Sequence, residues 1–339
     1  MIKPFNNPQV TVRSWYVIAL SHEIQRGRAI SRNLLSRRIA VFRGEDGAVH
    51  ALDARCPHLG ANLGHGTVMG NSLRCAFHHW LFAGDGQCVR VPYMESVPPF
   101  AWTFSYPIEE KYGAVWIFNG PEPLFALPRF SNWNEGDLLW SCLKPQVLPC
   151  HPHVVACNGL DVQHFKTVHE LEFAEEPTLD EPDLFRVRLR MKIRLRSHNF
   201  FERALRAFSG EILSVAFTTW GGNLATIEGQ LGPLPLLVLF THRPLEGGRS
   251  ASQTFLFAAK QSGIKGVLQA NRFLLLLGRL IMGYILIKDR KLLEDLEFRG
   301  NLVRSDAPLA AFIRQVNRME VFDSGHPELL HLAQQKEAL

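Results

Sequence analysis

No hydrophobic run in this chain is long enough to span a membrane. The most apolar stretch, Phe273 to Ile287, is 15 residues long and is broken by Gly278, Arg279 and Gly283, whereas a bilayer-crossing helix needs roughly 20 apolar residues. It reads as a buried helix beside an apolar pocket, and peripheral membrane contact is not expected. The opening residues, Met1 to Asn7, lack the apolar core of a secretory leader. No arginine stripe interleaves with aromatics, which excludes a nucleic-acid reading, and the net charge of +5 is modest. Cysteine is scarce, with six in 339 residues, and Cys88, Cys142, Cys150 and Cys157 form no disulfide-like framework, so a reducing cytoplasm is the expectation. There is no internal repeat, no low-complexity segment and no flavin or nicotinamide site. Any electrons the protein uses must therefore come from another protein.

The composition that remains, 46% hydrophobic and 20% charged, is that of a globular protein long enough for two domains. Short apolar runs at Trp15–Leu20, Arg38–Phe42 and Ala48–Leu52, with turn residues between them, predict a β meander in the first part, and Lys111–Phe118 reads as one strong strand. Prolines at 121, 123 and 128 mark a boundary, dividing the chain into 1–120 and 121–339. In the second part, 184–195 and 251–259 alternate as strands, while 154–170 and 267–298 look helical. The fold class is α+β.

Two motifs carry chemistry. Cys56-Pro57-His58 and Cys75-Ala76-Phe77-His78 are separated by 16 residues, and each offers one thiolate and one imidazole. A Rieske [2Fe-2S] cluster needs this donor set, with two cysteines on one iron and two histidines on the other. A zinc site of two cysteines and two histidines uses the same donors, but usually pairs Cys with Cys and His with His on one local element. Here each pair is mixed, as suits two loops closing on a binuclear cluster, and Gly60, Gly64, Gly66 and Gly70 allow tight turns.

The second motif is the run from Asn158 to His169, which gathers Asp161, His164 and His169. His169 follows His164 by five residues, about 140° round a regular helix, so both reach one metal only if the helix ends or bulges between them. Two histidines and a distant carboxylate make the facial triad of non-haem iron(II) oxygenases, which leaves positions open for O2 and substrate. The carboxylate candidates are Asp289 and Asp295; on a helix they point about 120° apart, so only one can face the metal.

Both motifs, in this order, resemble the α subunits of Rieske non-haem iron oxygenases, most closely the aminopyrrolnitrin oxygenase and 3-ketosteroid 9α-hydroxylase types. The resemblance runs from Trp15-Tyr16-Val17 through Cys75–Trp80 and Gly86-Gln87-Cys88 to the Asp161/His164/His169 run. It departs at His79, where many members carry glycine.

The resemblance implies an N-terminal β-rich Rieske domain and a C-terminal catalytic domain built on a helix-and-grip-like antiparallel sheet. It implies a [2Fe-2S] cluster on Cys56, His58, Cys75 and His78, and Fe(II) on His164, His169 and Asp289, with Asp295 as the alternative. Asn158 would support the iron ligands. Asp161 would bridge cluster and iron across the interface of a head-to-tail homotrimer, with no companion β subunit. A separate reductase or ferredoxin would supply electrons, and a hydrophobic aromatic, indolic or sterol-like substrate would be hydroxylated, N-oxygenated, demethylated or desaturated. A Rieske electron carrier without oxygenase chemistry is the alternative, although a carrier has no need of Asp161, His164 and His169.

Overall fold

In a computed structural model the described residues are 3–195, 200–260 and 265–322. They fall into two compact units. One contains Arg13–Leu124 together with Val321 and Phe322; the other contains residues 3–12 and Phe125–Glu320.

The first unit is built from three small antiparallel sheets. Trp15–Leu20, Ala114–Phe118 and Ile108–Lys111 form one, Ala29–Leu34, Arg37–Arg43 and Val49–Asp53 the second. Four short strands from Thr67 to Arg90 form the third. The stretch 111–118, expected as one strand, is half of a hairpin: Tyr112 and Gly113 take φ of 56° and 69° and turn the chain, so Ala114 pairs back onto Lys111. Hydrophobicity is continuous across that turn because Tyr112 is itself buried, and so an apolar run concealed the reversal.

The second unit is organised by one nine-stranded antiparallel sheet. Its central strands are Arg186–Arg194, Ile212–Trp220, Leu224–Leu231, Leu234–Leu245 and Arg249–Ala259, paired in that order. The first shows why the sheet has a covered face: Val187, Leu189, Met191 and Ile193 are buried, while the Arg and Lys residues between them point the other way.

Among the described residues five α-helices complete the unit: α1 (Pro152–Asn158), α2 (Val162–Thr167), α3 (Phe200–Ser209), α4 (Lys265–Leu293) and α5 (Ala307–Val316). The helix expected over 154–170 is thus two short helices. Gly159 lies between them, where a Cβ would stand 2.1 Å from the Phe217 ring. Asp161 starts the second as its N-cap, accepting the His164 amide at 2.9 Å. α4 packs its inner side, Leu275 and Met282, against Val238 and Leu256 of the sheet. It ends at Leu293, before Asp295.

Residues 3–12 are fastened by two buried histidines of α1. His153 Nδ1 accepts the Asn6 amide at 3.2 Å, the Phe5 ring stacks on His153 at 5.8 Å, and the Phe5 amide donates to Asn317 Oδ1 at 3.1 Å. His151 caps α1 by accepting the His153 amide through Nδ1. Burial pushes His151 down to about 4 and His153 well below the ordinary imidazole value. Both rings stay neutral in the fold while the unfolded chain takes up protons below about pH 6.5. Their contribution is therefore complete above pH 6.5 and is lost as pH falls towards 4, at about 1.4 kcal/mol per pH unit for each ring. The urea midpoint should fall between pH 7.5 and pH 5, and a midpoint flat over that range would contradict buried neutral imidazoles.

Candidate metal centres

The first constellation sits on two loops of the first unit that repeat one backbone pattern. The Cys56 amide donates to the Ala61 carbonyl and the Gly60 amide returns to the Cys56 carbonyl, at 2.9 and 2.8 Å. In the second loop the Cys75 amide donates to the Trp80 carbonyl and the His79 amide to the Cys75 carbonyl, at 2.8 and 3.2 Å. The two loops thus share one five-residue backbone pattern, although the histidine is third in the first and fourth in the second. His79 occupies the position that Gly60 fills in the first, and both are left-handed, with φ of 59° and 76°. That correspondence marks position 79 as one where glycine carries no backbone cost.

The loops bring the predicted residues together. His58 Nδ1 and His78 Nδ1 stand 3.1 Å apart. Cys56 and Cys75 lie in the core cluster, 3% and 1% exposed, while His58 is partly exposed and His78 exposed. Burial pushes the Cys56 thiol up to about 12, with Cys75 beside it adding to the rise. Two buried sulfurs under two exposed imidazoles fit a cluster whose cysteine-held iron is inside and whose histidine-held iron faces outward. Trp80, given no role from sequence, stacks flat on His58 at 4.7 Å and 6°, which fixes the ring plane.

The second constellation lies in the second unit. α2 ends at Thr167, and Glu170 takes a φ of 50°, so the chain leaves the helix between the two histidines. That is the break the spacing required. His164 Nε2 and His169 Nε2 are 3.0 Å apart. Asp289 Oδ1, from α4, is 3.2 Å from the first and 2.9 Å from the second. Asn158 Nδ2 lies 3.3 Å from His164 Nε2.

Asp295 is exposed beyond the end of α4 and takes no part. Burial alone would raise the Asp289 carboxyl, but its contacts to His164 and His169 outweigh this and hold it below the usual carboxylate range. Despite those distances, Asp289 Oδ1 is buried with no well-directed hydrogen bond. The three ligand atoms lie within 4.8 Å of one another, close enough for one metal ion, and a set of two imidazoles and one carboxylate suits Fe(II).

His169, Asn158 and Asp289 stand in the wall of a cavity of about 1300 Å³ between the covered face of the sheet and α4. Its walls are mainly apolar, with Phe217, Leu237, Phe240, Leu256 and Met282. Among its polar groups is a pair that sequence reading missed: His242 Nδ1 lies 2.9 Å from Ser252 Oγ. They are partners across neighbouring strands, ten residues apart in sequence, and only the pairing register joins them. Burial pushes His242 down to about 4, so the ring is a neutral hydrogen-bonding group.

A family model for the Rieske [2Fe-2S] domain matches residues 14–101. Residues 14–101 are a Rieske [2Fe-2S] domain. Such a domain carries a [2Fe-2S] cluster. Similar curated proteins include a probable 3-ketosteroid-9-alpha-monooxygenase oxygenase component of Rhodococcus rhodochrous, 31% identical over 175 residues, 48% of this chain and 42% of that protein. Another is cholesterol 7-desaturase nvd 1 of Ciona intestinalis, 34% identical over 166 residues, 48% of this chain and 35% of that one. The chain therefore spans less than half the length of these relatives. Among solved structures, dicamba monooxygenase bound to dicamba superposes with a TM-score of 0.69 over 97% of this chain and 100% of that one, at 20% identity. The α+β architecture, a Rieske domain followed by a sheet-and-helix domain, is that of the Rieske oxygenases.

Relieving the left-handed strain at His79 gives a direct test of the loop repeat. His79→Gly should raise stability by about 1 kcal/mol with an unchanged cluster absorption spectrum, and Gly60→Ala should lower it by a similar amount. Thermal melts of the two variants check both, and equal effects of one sign would break the correspondence.

Proposed function

We propose that this protein is an oxygenase that uses O2 and externally supplied electrons to oxygenate a hydrophobic aromatic, indolic or sterol-like molecule. The observation that carries the reading is the convergence of His164, His169 and Asp289 on the wall of a large apolar cavity. Cys56, His58, Cys75 and His78 hold the cluster, and residues 1–120 serve as the domain that receives electrons. Residues 121–339 bind substrate and hold Fe(II) through His164, His169 and Asp289. With iron bound, such a site supplies O2 activation at positions its three protein ligands leave open.

The chain's own groups do the rest. Asn158 steadies the His164 ring, the sheet and α4 wall the cavity with apolar side chains, and the neutral His242–Ser252 pair offers a hydrogen bond that orients a polar end of the substrate. The bridge between the two centres is Asp161, acting between neighbouring subunits of a homotrimer. A separate reductase or ferredoxin delivers the electrons in the cytoplasm.

Metal analysis of anaerobically purified protein tests this reading. The wild type should hold about three irons per chain, two in the cluster and one outside it. His164→Ala and Asp289→Asn should drop to about two with the cluster spectrum intact, and Asp295→Asn should not change the count. Two irons in every variant and in the wild type would leave an electron carrier. Asp161→Asn keeps the N-cap, because asparagine caps as well as aspartate. It should retain both metals and slow substrate turnover; unaltered turnover would remove the bridging role.

A further inference from the structure

α4 has two faces of opposite character. Its inner side meets the sheet and presents Asp289 to the two histidines. Its outer side carries Phe273, Leu276, Leu277, Leu280, Tyr284 and Ile287, all exposed, Leu280 at 66% and Ile287 at 63%. On a helical projection these six fall within about 100° of arc and run about 21 Å along the axis, and Asp289 lies about 180° from their centre. Such a stripe is far from the scattered apolar exposure of an ordinary surface.

The charges around the stripe say what covers it. Residues 272–293 contain five basic side chains and one acidic, and the acid is Asp289 on the opposite face. Arg272 and Arg290 project on one flank of the stripe and Lys288 on the other, about 80° from its centre, and Lys291 continues its line. Lys288 lies over the Tyr284 ring at 5.1 Å, and Arg290 is shared with Glu294 at 3.2 Å. A second copy of this helix, packed on the same face, would set cation against cation. An anionic bilayer surface offers apolar tails to the stripe and phosphates to its flanks.

Leu277 and Tyr284 of the stripe, with the adjoining Ile281, are also cavity-lining residues. Apolar surface therefore runs without interruption from the outside of α4 into the cavity.

We infer that the outer face of α4 is an interfacial docking surface that rests on anionic membrane, with the cavity opening beside it to take its substrate from the lipid phase. This revises the expectation of no membrane contact drawn from the length of the apolar run. No described helix is long and apolar enough to cross a membrane, but a helix lying in the interface needs only a face. The docking does not depend on the oxygenase reading, because it is read without turnover.

The test is co-sedimentation of the iron-loaded full chain with phosphatidylcholine vesicles, with and without phosphatidylserine. The wild type should sediment with the phosphatidylserine vesicles and be released by salt. Leu280→Glu combined with Ile287→Glu, neither of which lines the cavity, should weaken binding on the order of tenfold or more and leave the cluster spectrum and unfolding midpoint unchanged. Arg272→Gln with Lys291→Gln should remove the preference for phosphatidylserine. A wild type that ignores both vesicles, or glutamate variants that bind as the wild type does, would overturn the proposal. So would a wild type that ignores vesicles but forms an assembly that the glutamate pair reduces in sedimentation velocity, which would assign the face to contacts between copies.

Discussion

The second unit depends on holding a partly buried carboxylate against two imidazoles at about 3 Å, with the carboxylate Oδ1 left without a well-directed hydrogen bond. Such a group of acceptors is costly to bury without a cation, so a scaffold must force it together from separate elements. His164 is set by α2, whose start is fixed by the Asp161 cap and by the close approach of Gly159 to Phe217. His169 is set by the end of that helix, and Asp289 by the phase of α4 on the sheet. The nine-stranded sheet is the common floor, and the cavity is the space left between that floor and the helix that brings the carboxylate.

The first unit solves a different problem. Two cysteines and two histidines must be brought to one place, and the chain does so with two loops that close by the same backbone hydrogen bonds. The shared loop start puts both cysteines inward, while the histidines stand at different positions, third in one loop and fourth in the other, and Trp80 holds the His58 ring in its plane. The left-handed residue that closes each loop is glycine in one and histidine in the other, so the second loop tolerates a conformation that costs a side chain about 1–2 kcal/mol.

What could be read from the sequence follows from how local each constraint is. The cluster motifs were legible because each pair of ligands lies within four residues on one loop. His164 and His169 were legible for the same reason, and the helix break they require was deducible from their spacing alone. Asp289 lies 120 residues after His169, and only where α4 stops and which side it turns to the sheet bring it, rather than Asp295, beside the two histidines. The strands 186–194 and 249–259 announced themselves by alternation, but the Tyr112–Gly113 reversal was hidden by its own burial, and the helix over 154–170 was cut by a glycine whose contact partner is 58 residues away. The His242–Ser252 pair could not be read at all, since it exists only through the register of two strands.

The Leu-rich segment shows the same limit in another form. By composition it was a buried helix, and half of that holds: Leu275 and Met282 pack on the sheet. Hydrophobicity counted along a chain cannot distinguish a helix buried all round from one with two apolar faces and only one floor to cover. The number of apolar residues in α4 exceeds what the sheet can bury, and the excess is not scattered but aligned, with cations at its edges. One helix thus brings a carboxylate to the histidines on its inner side and leaves an apolar stripe on its outer side. A substrate that partitions into apolar phases would meet one continuous apolar surface from the outer face of α4 to the wall where the three donors converge.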